Sequence, residues 1–141
     1  MSSRITGGEA RGRDSSSPKG KRARPTSSKV REALFNILGG KIEGSNFLDL
    51  FSGSGIMGIE ALSRGAQNLV SIEADRKLGS SIVNALTELK YDGKVLIKDV
   101  RKAAKELPED YFDIIFADPP YKTNLAQATV FLVDRHQILR K

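Results

Sequence analysis

Residues 47–58 read Phe47-Leu48-Asp49-Leu50-Phe51-Ser52-Gly53-Ser54-Gly55-Ile56-Met57-Gly58. The apolar run Phe47 to Phe51 has the length and density of a buried strand. It passes straight into a GxGxxG turn, and the following residues, Ile56 to Arg64, read as a helix ended by Gly65. Strand, glycine turn and helix in that order open a nucleotide-binding βαβ unit. Gly53 and Gly55 predict a tight turn whose amides a ligand can approach, and Gly58 predicts close packing of helix on sheet.

Working outward, Leu69 to Ile72 predicts a second strand that ends in Glu73, 18 residues after Gly55. A carboxylate there can accept hydrogen bonds from both hydroxyls of an adenosine ribose; the alternative is a solvated strand end. Asp75 is placed to cap a helix whose Leu78, Ile82, Leu86 and Leu89 form an apolar stripe up to Tyr91-Asp92-Gly93. Val95 to Ile97 predicts a third strand, Val100 to Leu107 a helix closed by Pro108, and Phe112 to Ala117 a fourth strand. A last helix is predicted from Asn124 to about His136. Upstream, Val30, Ala33, Leu34, Ile37 and Leu38 recur at helical spacing between a start signal at Thr26 to Ser28 and a stop at Gly39-Gly40. Strands alternating with helices predict an open α/β fold with a mostly parallel sheet covered on both faces.

The chain has 141 residues, 39% hydrophobic and 28% charged, within the range of one ordinary domain. With no Cys and one His (His136), disulfides and thiolate chemistry are excluded and a metal centre is not expected. No apolar run approaches the length of a membrane span, so the expected location is the cytoplasm, without membrane contact. The charge is unevenly spread. Residues 1–31 hold nine Lys/Arg against Glu9 and Asp14, whereas the remaining residues are one charge negative, so the formal net charge of +6 resides at the N-terminus. Residues 1–25 are therefore read as a basic arm or short hairpin, with Arg4, Arg11, Arg13, Lys21, Arg22 and Arg24 as contacts for nucleic acid, ahead of an α/β domain over residues 26–141.

Two further features bear on the cofactor. Asp49 lies four residues before Gly53, where a buried carboxylate suits a ligand carrying an ammonium and a sulfonium better than a pyrophosphate. The fourth strand ends in Asp118-Pro119-Pro120-Tyr121, at the carboxyl edge where ligands of open α/β sheets bind. Two prolines stiffen the backbone and remove two amide donors, leaving a rigid cluster of acceptors. If the Asp118 carboxylate and the Pro119 carbonyl both accept hydrogens from a nucleobase amine, its lone pair is directed at a methyl donor while Tyr121 stacks on the base. Asp99 and Val100, after the third strand, can contact an adenine ring, although Asp99 can equally cap a helix.

These residues resemble the bacterial RsmD family of 16S ribosomal RNA guanine-N2 methyltransferases. The resemblance is carried by Arg24-Pro25-Thr26, the run Val30 to Leu38, Phe47 to Gly55, Gly58 to Ala66 and Asp118 to Tyr121, with Arg4 to Gly8 and Arg11 to Arg13 similar to the family's N-terminal hairpin. It implies a Rossmann-like domain that uses S-adenosylmethionine to methylate a guanine of small-subunit ribosomal RNA, in an assembled or partly assembled particle. It further implies that Asp49, Ser52, Gly53 and Gly55 hold the methionine side of the cofactor, Glu73 its ribose, and Asp99 with Val100 its adenine. Asp118, Pro119, Pro120 and Tyr121 would form the catalytic loop. Only four strands are visible where the family has more, which predicts a C-terminally shortened domain with the fourth strand open to self-association. A DNA adenine-N6 methyltransferase, a non-catalytic RNA-binding assembly module and a dinucleotide oxidoreductase are the competing readings; the last leaves the acidic proline loop and basic arm without a role.

Overall fold

The computed structural model describes residues 4–13 and 28–118. Within them lie α1 (Ser28–Leu38), a 3-10 turn (Gly39–Lys41), β1 (Asn46–Leu50), α2 (Ile56–Ser63), β2 (Asn68–Ile72), α3 (Arg76–Leu89), β3 (Lys94–Leu96), α4 (Val100–Ala103), a second 3-10 turn (Ala104–Glu106) and β4 (Ile114–Ala117). Each predicted element in this range is present. The helix predicted from Val100 to Leu107 is a single α turn tightened into a 3-10 turn. Residues 119–141, including the helix predicted from Asn124, lie outside the described residues.

The four strands form one parallel sheet in the order β3-β2-β1-β4. Leu50 lies opposite Ile72 on one side and Ala117 on the other, so β1 is central and the chain reverses its direction of sheet growth there. Side chains alternate across the strand. Phe47 joins Phe35, Ile59, Leu69, Ile82 and Leu86 in a core beneath α1, α2 and α3, while Leu48 and Leu50 pack with Ile72, Val100, Ala103 and Phe112 on the opposite face. Burying each such large side chain contributes roughly 1.5–3 kcal/mol, so both faces of β1 are held.

Two glycines set the spacing of α2. A Cβ on Gly58 would meet Leu69 Cδ1 at 2.6 Å, and one on Gly55 would meet Ile82 Cγ1 at 2.7 Å. Gly58 thus permits the close helix–sheet packing predicted for it. Gly55, predicted to allow a tight turn, has a φ of 81° at the start of α2, and the side of α3 also leaves no room for a Cβ there.

The basic N-terminal segment departs most from its composition. Residues 4–13 turn back on themselves, with the Ile5 amide donating to the Arg13 carbonyl at 3.0 Å and the Gly12 amide to the Ile5 carbonyl at 2.7 Å. Ile5 and Ala10 are buried in the main core, so two apolar side chains suffice to seat this hairpin when the remaining contacts are polar. On α1 the buried side chains are Arg31 and Phe35, with Leu34 and Leu38 half-buried, whereas Val30, Ala33 and Ile37 are exposed. The apolar stripe predicted the wrong edge of this helix because a buried ion pair occupies a core position.

Candidate active site at the carboxyl edge

All four strands are parallel, so the residues after β1, β2, β3 and β4 gather at one edge of the sheet. The order of the strands puts the end of β4 beside the end of β1, at the switch point where ligands of open sheets sit. The glycine turn, Glu73, Asp99 and Asp118 therefore share an edge, as the sequence predicts.

Asp49 is the buried group of this edge. It points to the same face of β1 as Phe47, is 1% exposed, and neither carboxylate oxygen has a hydrogen-bond partner. Burial pushes its pKa up to about 7; the nearby Ser52 hydroxyl and Gly58 amide offset this in part, and the charges of Glu73 and Asp118 add to it. An acid in this position lacks a cation. A ligand ammonium would supply one and restore the ionised form, so the residues present fit the methionine end of S-adenosylmethionine.

The turn above it is organised by backbone and by Glu73. Phe51 leaves the strand at a φ of 57°, Gly53 follows at 58°, and Gly55 at 81°. The Ser52 hydroxyl donates to the Asp49 carbonyl at 2.9 Å, and the Gly55 amide to the Ser52 carbonyl at 2.8 Å. Glu73 accepts from the Gly53 amide through Oε1 and from the Asp75 amide through Oε2, both at 2.8 Å. It thereby ties the glycine turn to the end of β2. Each oxygen keeps a second lone pair for a ribose hydroxyl. A Cβ on Gly53 would meet nothing within 4 Å, so this glycine faces open space on the ligand side.

Two other predicted contacts also carry structural roles of their own. Asp99 caps α4, accepting from the Arg101 amide at 2.8 Å and from the Arg101 guanidinium at 3.0 Å, an arrangement that holds its carboxyl below the ordinary range. Val100, predicted beside an adenine ring, is buried in the core with Leu48 and Phe112. The helix-cap reading of Asp99 is present in the structure, and the cap keeps its carboxylate at the same edge of the sheet. Asp118 is exposed at the end of β4. Pro119, Pro120 and Tyr121 lie outside the described residues, as do Lys21, Arg22 and Arg24. Arg4, Arg11 and Arg13 are exposed on the hairpin.

The sequence did not reveal Glu60. Its side chain is fully buried, accepting from Arg31 Nε at 3.2 Å, Arg64 Nε at 2.7 Å, the Thr6 amide at 2.9 Å and the Thr6 hydroxyl at 2.5 Å. Burial acts to raise its pKa, but the hydrogen bonds from Thr6, Arg64 and Arg31 outweigh burial and lower it. A charged residue in a helix of otherwise buried residues, Ile56–Ser63, was the signal available. Among the described residues no cluster could hold a metal ion, and no helix is long and apolar enough to cross a membrane.

A sheet that reverses at its first strand and collects its carboxylates at the reversal defines a Rossmann-like domain, and its structural neighbours are of the methyltransferase class. YhhF of Escherichia coli, described as a candidate methyltransferase, superposes with a TM-score of 0.85 at 35% identity over 98% of this chain and 75% of its own. The chain belongs to the RsmD family, whose model, described as conserved hypothetical protein 95, matches residues 3–141. It is 37% identical to YlbH of Bacillus subtilis (strain 168), named as a candidate rRNA methyltransferase, over 98% of this chain and 77% of that protein. It is 36% identical to ribosomal RNA small subunit methyltransferase D of Escherichia coli (strain K12), over 93% of this chain and 66% of that protein. A more distant structure, SMU.776, described as a candidate methyltransferase, was solved with SAH; it superposes at a TM-score of 0.53 and 25% identity, over 65% of this chain and 25% of its own.

Proposed function

We propose that this chain transfers a methyl group from S-adenosylmethionine to the exocyclic N2 amine of a guanine in small-subunit ribosomal RNA. The observation that carries the reading is the unpartnered, buried Asp49 directly below a glycine turn, on the same sheet edge as Asp118. When bound, S-adenosylmethionine supplies an electrophilic methyl. Asp49 meets the ammonium, Gly53 leaves room for the ligand, and Glu73 keeps the turn closed while accepting from ribose hydroxyls. Asp118 accepts a hydrogen bond from the guanine amine, fixing the direction of its lone pair; the surplus proton of the methylated amine passes to solvent as the thioether product leaves, and Pro119, Pro120 and Tyr121 complete the loop that grips the base. Family membership and the names of the relatives support ribosomal RNA as the substrate; the guanine amine, and the assembled particle as its setting, belong to the proposal.

The test is transfer of labelled methyl from S-adenosylmethionine to small-subunit ribosomal RNA, with the modified nucleoside identified by mass. Asp118→Ala is expected to lower transfer at least about a hundredfold while cofactor affinity stays within about twofold. Transfer by this variant at the unaltered rate overturns the role of Asp118. Methyl on adenine, or on DNA in preference to RNA, overturns the substrate.

A further inference from the structure

Beside Asp49 stands a second buried polar side chain without a partner. In the register of the parallel sheet, Asp49 on β1 lies opposite Ser71 on β2 and opposite Phe116 on β4. Asp49 shares its face of β1 with Phe47, and Ser71 shares its face of β2 with Leu69. Phe47 and Leu69 belong to one core, so both polar side chains point into the layer beneath the helices. Ser71 is 0% exposed, and its hydroxyl, like both carboxylate oxygens of Asp49, has no hydrogen-bond partner among the described residues.

Gly58 of α2 covers the pair. A Cβ on this residue would lie 3.2 Å from Ser71 Oγ, and its amide is near Asp49. Neighbouring strands lie about 4.8 Å apart, a gap that a serine and an aspartate side chain close between them by rotation about their Cα–Cβ bonds. Phe116, on the other flank, has no polar atom to offer. Ser71 is therefore the in-register neighbour able to donate to Asp49.

An alanine at position 71 would fit beneath Gly58 equally well and would strand no hydroxyl, so packing alone gives no reason for a serine. The hydroxyl gains a partner when Asp49 ionises, because hydrogen bonds to a charged acceptor are shorter and stronger than those to a neutral one. The charges of Glu73 after β2 and Asp118 after β4 oppose that ionisation, whereas the Gly58 amide of α2 and the Ser52 hydroxyl of the glycine turn favour it.

We propose that Ser71 is a positioning residue for the cofactor: as the ligand ammonium enters and the Asp49 proton leaves for solvent, the Ser71 hydroxyl turns to donate to the carboxylate and holds it ionised toward the ammonium. The identity of that ligand rests on the function proposed above. Ser71 itself does not touch the ligand; it acts through Asp49.

The experiment compares the unaltered chain with Ser71→Ala in two measurements. The first uses no ligand and follows the Asp49 carboxyl carbon by carbon-13 NMR through a pH titration, with the resonance assigned by its loss in Asp49→Asn. The midpoint, about 7 in the unaltered chain, is expected to move up by about one pH unit in Ser71→Ala. The second is calorimetric titration with S-adenosylhomocysteine, which carries the same ammonium. The ratio of the two chains' affinities at each pH cancels the ligand's own titration. Ser71→Ala is expected to bind about tenfold more weakly at pH 6 and within about twofold at pH 9, since the hydroxyl governs how much of Asp49 is ionised. A midpoint that does not move, or a loss of affinity equal at both pH values, assigns Ser71 to packing and overturns the proposal. If S-adenosylhomocysteine binds neither chain, the cofactor reading above fails, while the carboxyl midpoint still decides whether Ser71 supports the ionised Asp49.

Discussion

Asp49 is a deeply buried carboxylate on which the cost of burial outweighs the help of the nearby Ser52 hydroxyl and Gly58 amide, and its protonation follows from that. Its pKa rises from 3.8 to about 7 on folding, so between these values the folded chain binds more protons than the unfolded one. Stability from this group is fully present below about pH 4, is lost as pH rises to about 7, and stays lost above. The full span corresponds to about 4 kcal/mol. Asp49→Asn is therefore expected to stabilise the ligand-free chain at pH 8 by up to that amount in urea unfolding, while abolishing measurable S-adenosylmethionine binding. Binding to the unaltered chain at pH 6 is expected to release a proton, seen as a dependence of the calorimetric enthalpy on the buffer's ionisation enthalpy; the dependence should vanish at pH 8. The two turn glycines separate in the same way. Gly55→Ala brings a methyl onto Ile82 and is expected to cost about 2–3 kcal/mol of stability. Gly53→Ala meets no atom and is expected to cost about 1 kcal/mol through its positive φ alone, which thermal unfolding of the two variants will distinguish.

At the scale of elements, β1, α2, β2 and α3 were legible in the sequence because each is specified locally. An apolar run between turn signals makes a strand, and Asp75 satisfies the first amides of α3 at Lys77 and Leu78, as a capping residue should. α1 was legible as a helix but not in its orientation. Periodicity ranks Arg31 as an outward residue, and only Glu60, 29 positions later, makes it an inward one. The pair is costly to break because either charge alone would be stranded without water. Glu60→Ala is expected to destabilise the chain by about 3–5 kcal/mol in chemical unfolding. The lowered pKa of Glu60 adds an acid limb with the opposite sign to that of Asp49: stability is present above its ordinary 4.5 and declines as pH falls below it. Ligand-free stability should consequently peak between these limbs, near pH 4–5, in a pH series of urea midpoints.

For the molecule as a whole, strand order decides what can meet. Glu73 follows β2 and Asp118 follows β4, and it is the position of β1 between them that places both beside the glycine turn. Glu73→Gln removes the charge from an acceptor that closes this turn onto the end of β2, and is expected to weaken S-adenosylmethionine binding about 10–100-fold by calorimetry. The glycine turn, the Glu73 strand end and the acidic end of β4 could be read in advance, since each is a short pattern whose chemistry belongs to its own residues. The basic excess of the N-terminal segment was equally plain, but its attachment to α2 was not.

The sequence by itself determined the α/β class, the strand and helix succession, the glycine turn and the carboxylates that follow the strands, because these depend on neighbours within one or two turns of chain. The tertiary structure alone decided that Asp49 is left without a partner, that Val100 belongs to the core, and that Glu60 draws Arg31, Arg64 and Thr6 together. Burial and hydrogen bonding between residues tens of positions apart are set by packing, which local periodicity does not encode.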